Sequence, residues 1–265
     1  MTDTTTTATT TATRVNRPVW VDLATSDAAG AREFYAKLFG WNVEVSDDPQ
    51  YGGYGLAKID GRDAAGIGPA QSEGQPTVWS LYIGTDDVDA LAQKVQSAGG
   101  TVVAPPFDVG NQGRMAVFQD PAGAFISAWQ AGVTGGLQAQ GSNTFSWAEL
   151  DARGLDRAIE FYRQMFGWTT RQSPTSEGAP PYTEFQVDGE SILGAQEMPA
   201  EVPAEVPSYW LVYFHVDDVA ATAGRAVELG GEQLVPPQEY FGGHFAVVTD
   251  PQGAAFGLFK SRADG

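Results

Sequence analysis

Residues 31–41 read AREFYAKLFGW, and residues 158–168 read AIEFYRQMFGW. In the first stretch Ala31, Phe34, Tyr35 and Leu38 recur at i, i+3, i+4 and i+7, the apolar stripe of an amphipathic helix, and Gly40 stops it. Ala158, Phe161, Tyr162 and Met165 keep the same stripe in the second. One helix signature standing twice, 127 residues apart, marks a tandem duplication.

The flanks repeat as well. Trp20-Val21-Asp22-Leu23 precedes the first helix as Trp147-Ala148-Glu149-Leu150 precedes the second. Downstream, Trp79, Tyr82 and Asp86-Asp87-Val88 return as Trp210, Tyr213 and Asp217-Asp218-Val219. Gly99-Gly100, Pro105-Pro106 and Asp120-Pro121-x-Gly123 return as Gly230-Gly231, Pro236-Pro237 and Asp250-Pro251-x-Gly253. Around the helix, period-two and β-branched runs predict strands at 19–24, 41–45, 54–59 and 64–67. The order then restarts: a strand at 78–84, a helix with Val88, Leu91, Ala92 and Val95 on one face, and strands at 101–104, 114–119 and 124–130. Each copy therefore holds two strand–helix–strand–strand–strand units, and the fold class is α+β. Residues 1–16 form a threonine-rich leader expected to be disordered. Residues 17–132 are the first domain, 133–143 a glycine-rich linker, and 144–262 the second domain.

Composition narrows the function. Thirty-three acids against fifteen bases leave a net charge of −18, which repels phosphate backbones and anionic membranes, so no nucleic-acid or membrane partner is expected. Without cysteine there is no thiolate nucleophile and no zinc–thiolate site. His215 and His244 are the two histidines, too few for a histidine-rich metal centre. No apolar run approaches a membrane span and no secretory signal is visible, so a soluble cytoplasmic protein is expected. No glycine-rich phosphate loop or nucleophile elbow follows a strand.

Paired βαβββ units with a strand–Asp–helix–Phe-Tyr opening and an Asp-Pro-x-Gly turn before the last strand resemble the vicinal oxygen chelate superfamily. That group holds glyoxalases, extradiol dioxygenases and bleomycin-binding proteins. The resemblance covers residues 18 to 260 in two tandem domains and implies that each domain folds as a curved mixed sheet around a cleft. The family's metal-ligand positions, carried over by the flanking motifs, fall on Trp20, Ser80 and Ser127, and on Trp147, Leu211 and Gly257. None supplies a carboxylate, imidazole or thiolate, so no metal and no other cofactor is expected.

The family's inward register places Trp20, Asp22, Ser80 and Tyr82 in the first cleft, with Met115, Val117, Phe125, Ser127 and Trp129. In the second it places Trp147, Glu149, Leu211, Tyr213 and His215, with Phe245, Val247 and Phe259. An aromatic lining with few polar groups suits a flat, hydrophobic small molecule. The aromatic and methionine members (Trp20, Tyr82, Met115, Trp129, Trp147, Tyr213, Phe245, Phe259) are the candidate ligand contacts, with core filling as the plain alternative. Asp22 and Glu149, buried beside indole, are candidate proton-transfer groups, with capping or an arginine partner such as Arg32, Arg114 or Arg157 as their plain role. His215, whose repeat partner is Gly84, could pair with Glu149 as a proton shuttle or simply with Asp217-Asp218. His244 and Arg114 are expected to point away from the clefts. Residues 173–181, matched by 46–53, read as a loop over the cleft, and 199–207 (PAEVPAEVP) as an extended polyproline-like spacer.

The leading expectation is a metal-independent enzyme performing isomerisation, cyclisation or hydration by proton transfer on a hydrophobic aromatic metabolite. The alternatives are a drug- or metabolite-sequestering protein and a metal-dependent glyoxalase-type lyase or dioxygenase. Tandem duplication permits either a monomer or a homodimer.

Overall fold

The computed structural model describes residues 15–72, 74–173, 181–200, 202–240 and 242–262. Residues 1–14 of the leader, Glu73, most of the 173–181 loop, Glu201, Phe241 and residues 263–265 lie outside them. The leader's last two residues are ordered against the fold: Val15 bridges Gly84, and Asn16 O accepts from Trp168 Nε1.

In the first half β1 (Pro18–Thr25), α1 (Ala28–Phe39), β2 (Asn42–Val45), β3 (Gly55–Ile59) and β4 (Arg62–Pro69) make one unit. The second unit is β5 (Val78–Gly84), α2 (Val88–Val95), β6 (Thr101–Val109), β7 (Gly113–Gln119) and β8 (Phe125–Ala131). Their strands form one eight-stranded mixed sheet in the order β2-β3-β4-β1-β5-β8-β7-β6. The two units meet back to back where β1 and β5 run antiparallel. The second half repeats this with β9 (Phe145–Ala152), α3 (Leu155–Phe166), β10 (Thr169–Gln172), β11 (Thr183–Val187) and β12 (Glu190–Glu197). It continues with β13 (Tyr209–His215), α4 (Val219–Glu228), β14 (Gln233–Tyr240), β15 (Gly243–Thr249) and β16 (Ala255–Ser261). Its sheet runs β10-β11-β12-β9-β13-β16-β15-β14.

The helices start and stop where their caps dictate. Asp27, Asp87 and Asp218 accept from the backbone N–H three residues on, at Gly30, Ala90 and Ala221. Gly40 and Gly167 end α1 and α3 at φ 74° and 68°, a left-handed conformation glycine adopts without cost. In α3 the capping residue is Gly154, and Glu197 from β12 takes over, accepting from the Gly154 and Leu155 N–H groups at 2.8 Å each.

One hydrophobic core joins the halves. The helices sit between the two sheets, and Phe39, Trp41 and Trp79 of the first half pack on Phe214 of the second with ring centroids 5.0–5.5 Å apart. Two buried clasps lock this interface, one the mirror of the other. Tyr35 on α1 donates to Asp250 of the second half's Asp-Pro-x-Gly turn at 3.2 Å and accepts from Trp79 Nε1 at 3.0 Å. Tyr162 on α3 donates to Asp120 of the first half's turn at 2.9 Å and accepts from Trp210 Nε1 at 2.8 Å. The same Asp120 carboxylate accepts the N–H groups of Ala122, Gly123 and Ala124.

The connecting segment lies along the first half: Leu137 donates to Val19 O, and Gln138 and Ala139 to Asp63 O. The 199–207 segment is not the extended spacer the prolines suggest. Val202 N–H bonds Pro199 O and Val206 N–H bonds Pro203 O, two successive tight turns, and Arg153 donates to Val202 O and Pro203 O at 2.8 Å. Each proline stands at position i of its turn, where only its carbonyl is needed and its missing N–H costs nothing. No helix among the described residues is long and apolar enough to cross a membrane.

Candidate functional site

The faces of the two sheets that look away from the shared core carry separate side-chain clusters. In the first, Trp20, Tyr82 and Trp129 are buried together, with Met115 and Leu56 half-buried against them. In the second, Leu211, Tyr213 and Val247 form the floor, and Trp147, Tyr209, Phe245 and Phe259 pack on it. All eight expected ligand-contact residues thus lie in these two clusters. Period-two alternation accounts for it: Val21 and Leu23 enter the shared core while Trp20 and Asp22 face the cleft.

Each cleft holds the same polar motif. In the first, Tyr54 and Tyr82 donate to Asp22 Oδ2 at 3.1 and 2.9 Å, and Trp20 Nε1 donates to the Tyr54 oxygen at 2.9 Å. In the second, Tyr213 donates to Glu149 Oε1 at 3.4 Å, Tyr182 also bonds Glu149, and Trp147 Nε1 donates to the Tyr182 oxygen at 3.0 Å. Tyr54 and Tyr182 do not appear in the expectations from sequence, although they stand 128 residues apart and so obey the repeat. Their hydroxyls fit because Gly66 and Gly194 face the carboxylates across β1–β4 and β9–β12. A Cβ on either glycine would lie within 2 Å of the tyrosine oxygen.

Arginine does not neutralise either acid. Arg32 donates to the carbonyls of Ala28 and Gly53, Arg114 pairs with Asp89 and Asp108, and Arg157 donates to the carbonyl of Arg153. Burial therefore dominates their titration, because it penalises the charged form. It lifts the Asp22 carboxyl from 3.8 to about 6, and the two tyrosine hydrogen bonds pull the other way. Burial pushes Glu149 past neutrality, and the nearby negative charge of Asp151 adds to the rise.

The second cleft is richer in polar groups. Asp151, in the position of Ala24, is 5% exposed; Gln196 stands where the first half has Gly68, and Tyr209 where it has Val78. Gln196 Nε2 donates to Glu149 at 3.2 Å and to Asp151 at 2.8 Å, and Tyr209 bonds Asp151. The expected Glu149–His215 pair is not formed. Glu149 lies opposite Leu211 on β13, and His215 follows four residues later, opposite Phe259 on β16. At roughly 3.3 Å per residue the two stand ~13 Å apart along the sheet. His244 is exposed and Arg114 reaches α2, both away from the clefts as expected. Phe125 lies half in solvent at 52% exposure.

The first cleft is bridged at its mouth. A 3-10 turn over Pro49–Tyr51, between β2 and β3, brings Tyr51 against Gly110 and Gln112 on the turn between β6 and β7, at the opposite edge of the sheet. The corresponding loop of the second half falls outside the described residues.

At the family's metal positions the donor set does not fit a divalent ion. Trp20 is bonded to Tyr54, Ser127 faces Tyr82, and at Gly257 the Tyr213 ring lies where a side chain would begin. No group of three metal-binding side chains occurs among the described residues.

Residues 17–127 match the glyoxalase/bleomycin resistance protein/dioxygenase superfamily, and residues 147–259 match a glyoxalase-like domain. The chain belongs to that superfamily. It is 39% identical over 253 residues to a Mycobacterium tuberculosis protein provisionally named glyoxylase CFP32, covering 93% of this chain and 95% of that one. It is 37% identical over 262 residues to the anthracycline biosynthesis protein DnrV of Streptomyces peucetius, covering 92% and 93%. Among solved structures, the Mn(II)-bound glyoxalase of Novosphingobium aromaticivorans superposes with a TM-score of 0.63 at 17% identity, over 92% of this chain and 82% of that one. The 2,3-dioxygenase LapB of Pseudomonas sp. KL28 gives 0.64 at 14% identity, over 92% and 91%. These two likenesses establish the shared two-domain fold.

Proposed function

We propose that the protein is a metal-independent enzyme that binds a planar, hydrophobic aromatic ketone or phenol and moves a proton on it in the second cleft. The observation that carries this reading is Glu149: a carboxyl held between tyrosine hydroxyls beside an aromatic cluster, with no cation beside it among the described residues. Such a group keeps its proton at neutral pH and offers an O–H to a ligand oxygen. Giving that proton to a carbonyl oxygen leaves a carboxylate. The carboxylate then takes a proton from the carbon conjugated with that carbonyl, so the ligand is tautomerised and the carboxyl restored with no co-reactant. Trp147, Phe245 and Phe259 would stack on the ligand, and Tyr213 would orient its oxygen. The name of DnrV supports the ligand class, since anthracyclines are polycyclic aromatic ketones.

The first cleft favours a second reading, for that half alone: binding without chemistry. It has Ala24 and Gly68 where the second cleft sets Asp151 and Gln196 beside the carboxyl, and its mouth is bridged by Tyr51.

The test uses anthrone, a planar tricyclic ketone with an exchangeable methylene. In heavy water the protein should speed deuterium uptake at that methylene and quench its own tryptophan fluorescence on binding. Metal analysis of the same sample runs alongside. Fluorescence quenching without faster exchange would favour sequestration. Exchange that depends on a stoichiometric divalent metal would return the protein to metal-assisted chemistry.

A further inference from the structure

The second cleft contains a second acid that the proton-transfer step above does not use. Asp151 follows Glu149 by two residues on β9, so both side chains leave the same face of the strand. One nitrogen, Nε2 of Gln196, donates to both: 2.8 Å to Asp151 Oδ1 and 3.2 Å to Glu149 Oε1. The Tyr209 hydroxyl gives Asp151 a second donor, while Glu149 has Tyr182 and, at a longer 3.4 Å, Tyr213.

We propose that Asp151 and Gln196 are a positioning pair, found in the second cleft and not the first, that keeps the shared proton on Glu149 and so makes that cleft the proton-donating one. This inference rests on the proton-transfer reading of Glu149.

Two carboxyls this close, without a cation, cannot both ionise cheaply, and one retains a proton. Which one keeps it is decided by the donors. Asp151 receives the shorter amide bond and a tyrosine hydroxyl, both of which stabilise a carboxylate. Glu149, with the longer amide contact of 3.2 Å and Tyr213 at 3.4 Å, is left as the acid despite its Tyr182 bond, and its O–H is the one nearer Trp147 and the aromatic floor.

The other groups facing the pair do not disturb this assignment. From β11 and the residue before it come Glu184 and Tyr182, and Glu184 is satisfied by Arg171, Ser173 and Ser191. From β13 come Tyr209 and Tyr213, with His215 farther along, and from β14 comes Tyr240; the tyrosines are all raised by burial and stay protonated. In the first cleft Ala24 and Gly68 replace the pair, and Asp22 with its two short tyrosine bonds is left as a lone carboxylate.

The test is a carboxyl carbon-13 NMR titration of the full chain labelled at glutamate, with the Glu149 signal identified by its loss in Glu149→Gln. In the unsubstituted protein that signal should titrate above neutrality. Asp151→Asn keeps the shape and removes the charge, and should lower the midpoint by about one pH unit or more. A midpoint unmoved by Asp151→Asn overturns the proposal, since a merely structural Asp151 would not shift it. If Asp151→Asn fails to fold, Ala24→Asp decides in protein labelled at aspartate: it builds a carboxylate beside Asp22, and a rise in the Asp22 midpoint supports the pairing while no change overturns it. Anthrone exchange in Glu149→Gln separates the two levels. A shifted midpoint with exchange undiminished leaves the positioning pair standing and removes the catalytic reading.

Discussion

In the first cleft Asp22 sits between Tyr54 and Tyr82, and in the second Glu149 sits between Tyr182 and Tyr213 with Asp151 and Gln196 at its side. Sheet order, tryptophan donor and facing glycine are the same in both. The difference lies in β9, β12 and β13, where the first half has alanine, glycine and valine and the second has an acid, an amide and a tyrosine. The lesson is that one scaffold surrounds two equivalent carboxyls with different neighbours, and under the proposed pairing those neighbours set which carboxyl keeps its proton.

The sharpest way to break that comparison is Glu149→Gln. It should cut anthrone exchange by about a hundredfold or more, the scale of a lost general acid, while affinity read by fluorescence stays within about tenfold. Asp22→Asn should cost no more than a few-fold. Equal losses would make the clefts functionally alike.

A second comparison concerns pH. Asp22 holds its proton more tightly folded than unfolded, because its carboxyl rises from 3.8 to about 6. The stability it contributes is therefore full below about pH 4 and is lost as pH climbs through about 6, at most on the order of 3 kcal/mol. Chemical denaturation across that range should show the decline, and Asp22→Asn should flatten it. For Glu149, also raised, the corresponding decline continues past neutrality.

Where the halves agree, the effects should match. Tyr35→Phe and Tyr162→Phe each remove one hydrogen bond to a buried aspartate, so each should cost about 2 kcal/mol by denaturant titration. Gly66→Ala and Gly194→Ala should each cost about 1–3 kcal/mol, because the tyrosine ring must move off the carboxylate. A loss confined to one half would show that the shared plan conceals unequal packing.

Much of this was legible in the sequence. The helix stripe at Ala31, Phe34 and Tyr35 and the strand at 78–84 follow from local period alone, and the cleft-facing Trp20 and Trp147 from the resemblance to the family. Three things did not. Tyr54 and Tyr182 stand at the edge of a loop, where period says nothing of direction, although their spacing matched the repeat. The separation of Glu149 from His215 depends on strand register, which alternation leaves open: it assigns a face but not a distance along it. The partners of Tyr35 and Tyr162 lie in the opposite half, and no local pattern encodes a contact spanning 215 residues in one case and 42 in the other.

Those crossed tyrosine–aspartate clasps have a consequence for how such a chain can change over time. Each half needs the other's turn to satisfy a buried hydroxyl, so the two cannot be inherited or lost separately without exposing the interface. The outward faces carry no such mutual debt. Substitutions there are felt by one cleft alone, and a duplicated chain bound at its core can keep one cleft as its ancestor left it while the other acquires an Asp151 and a Gln196.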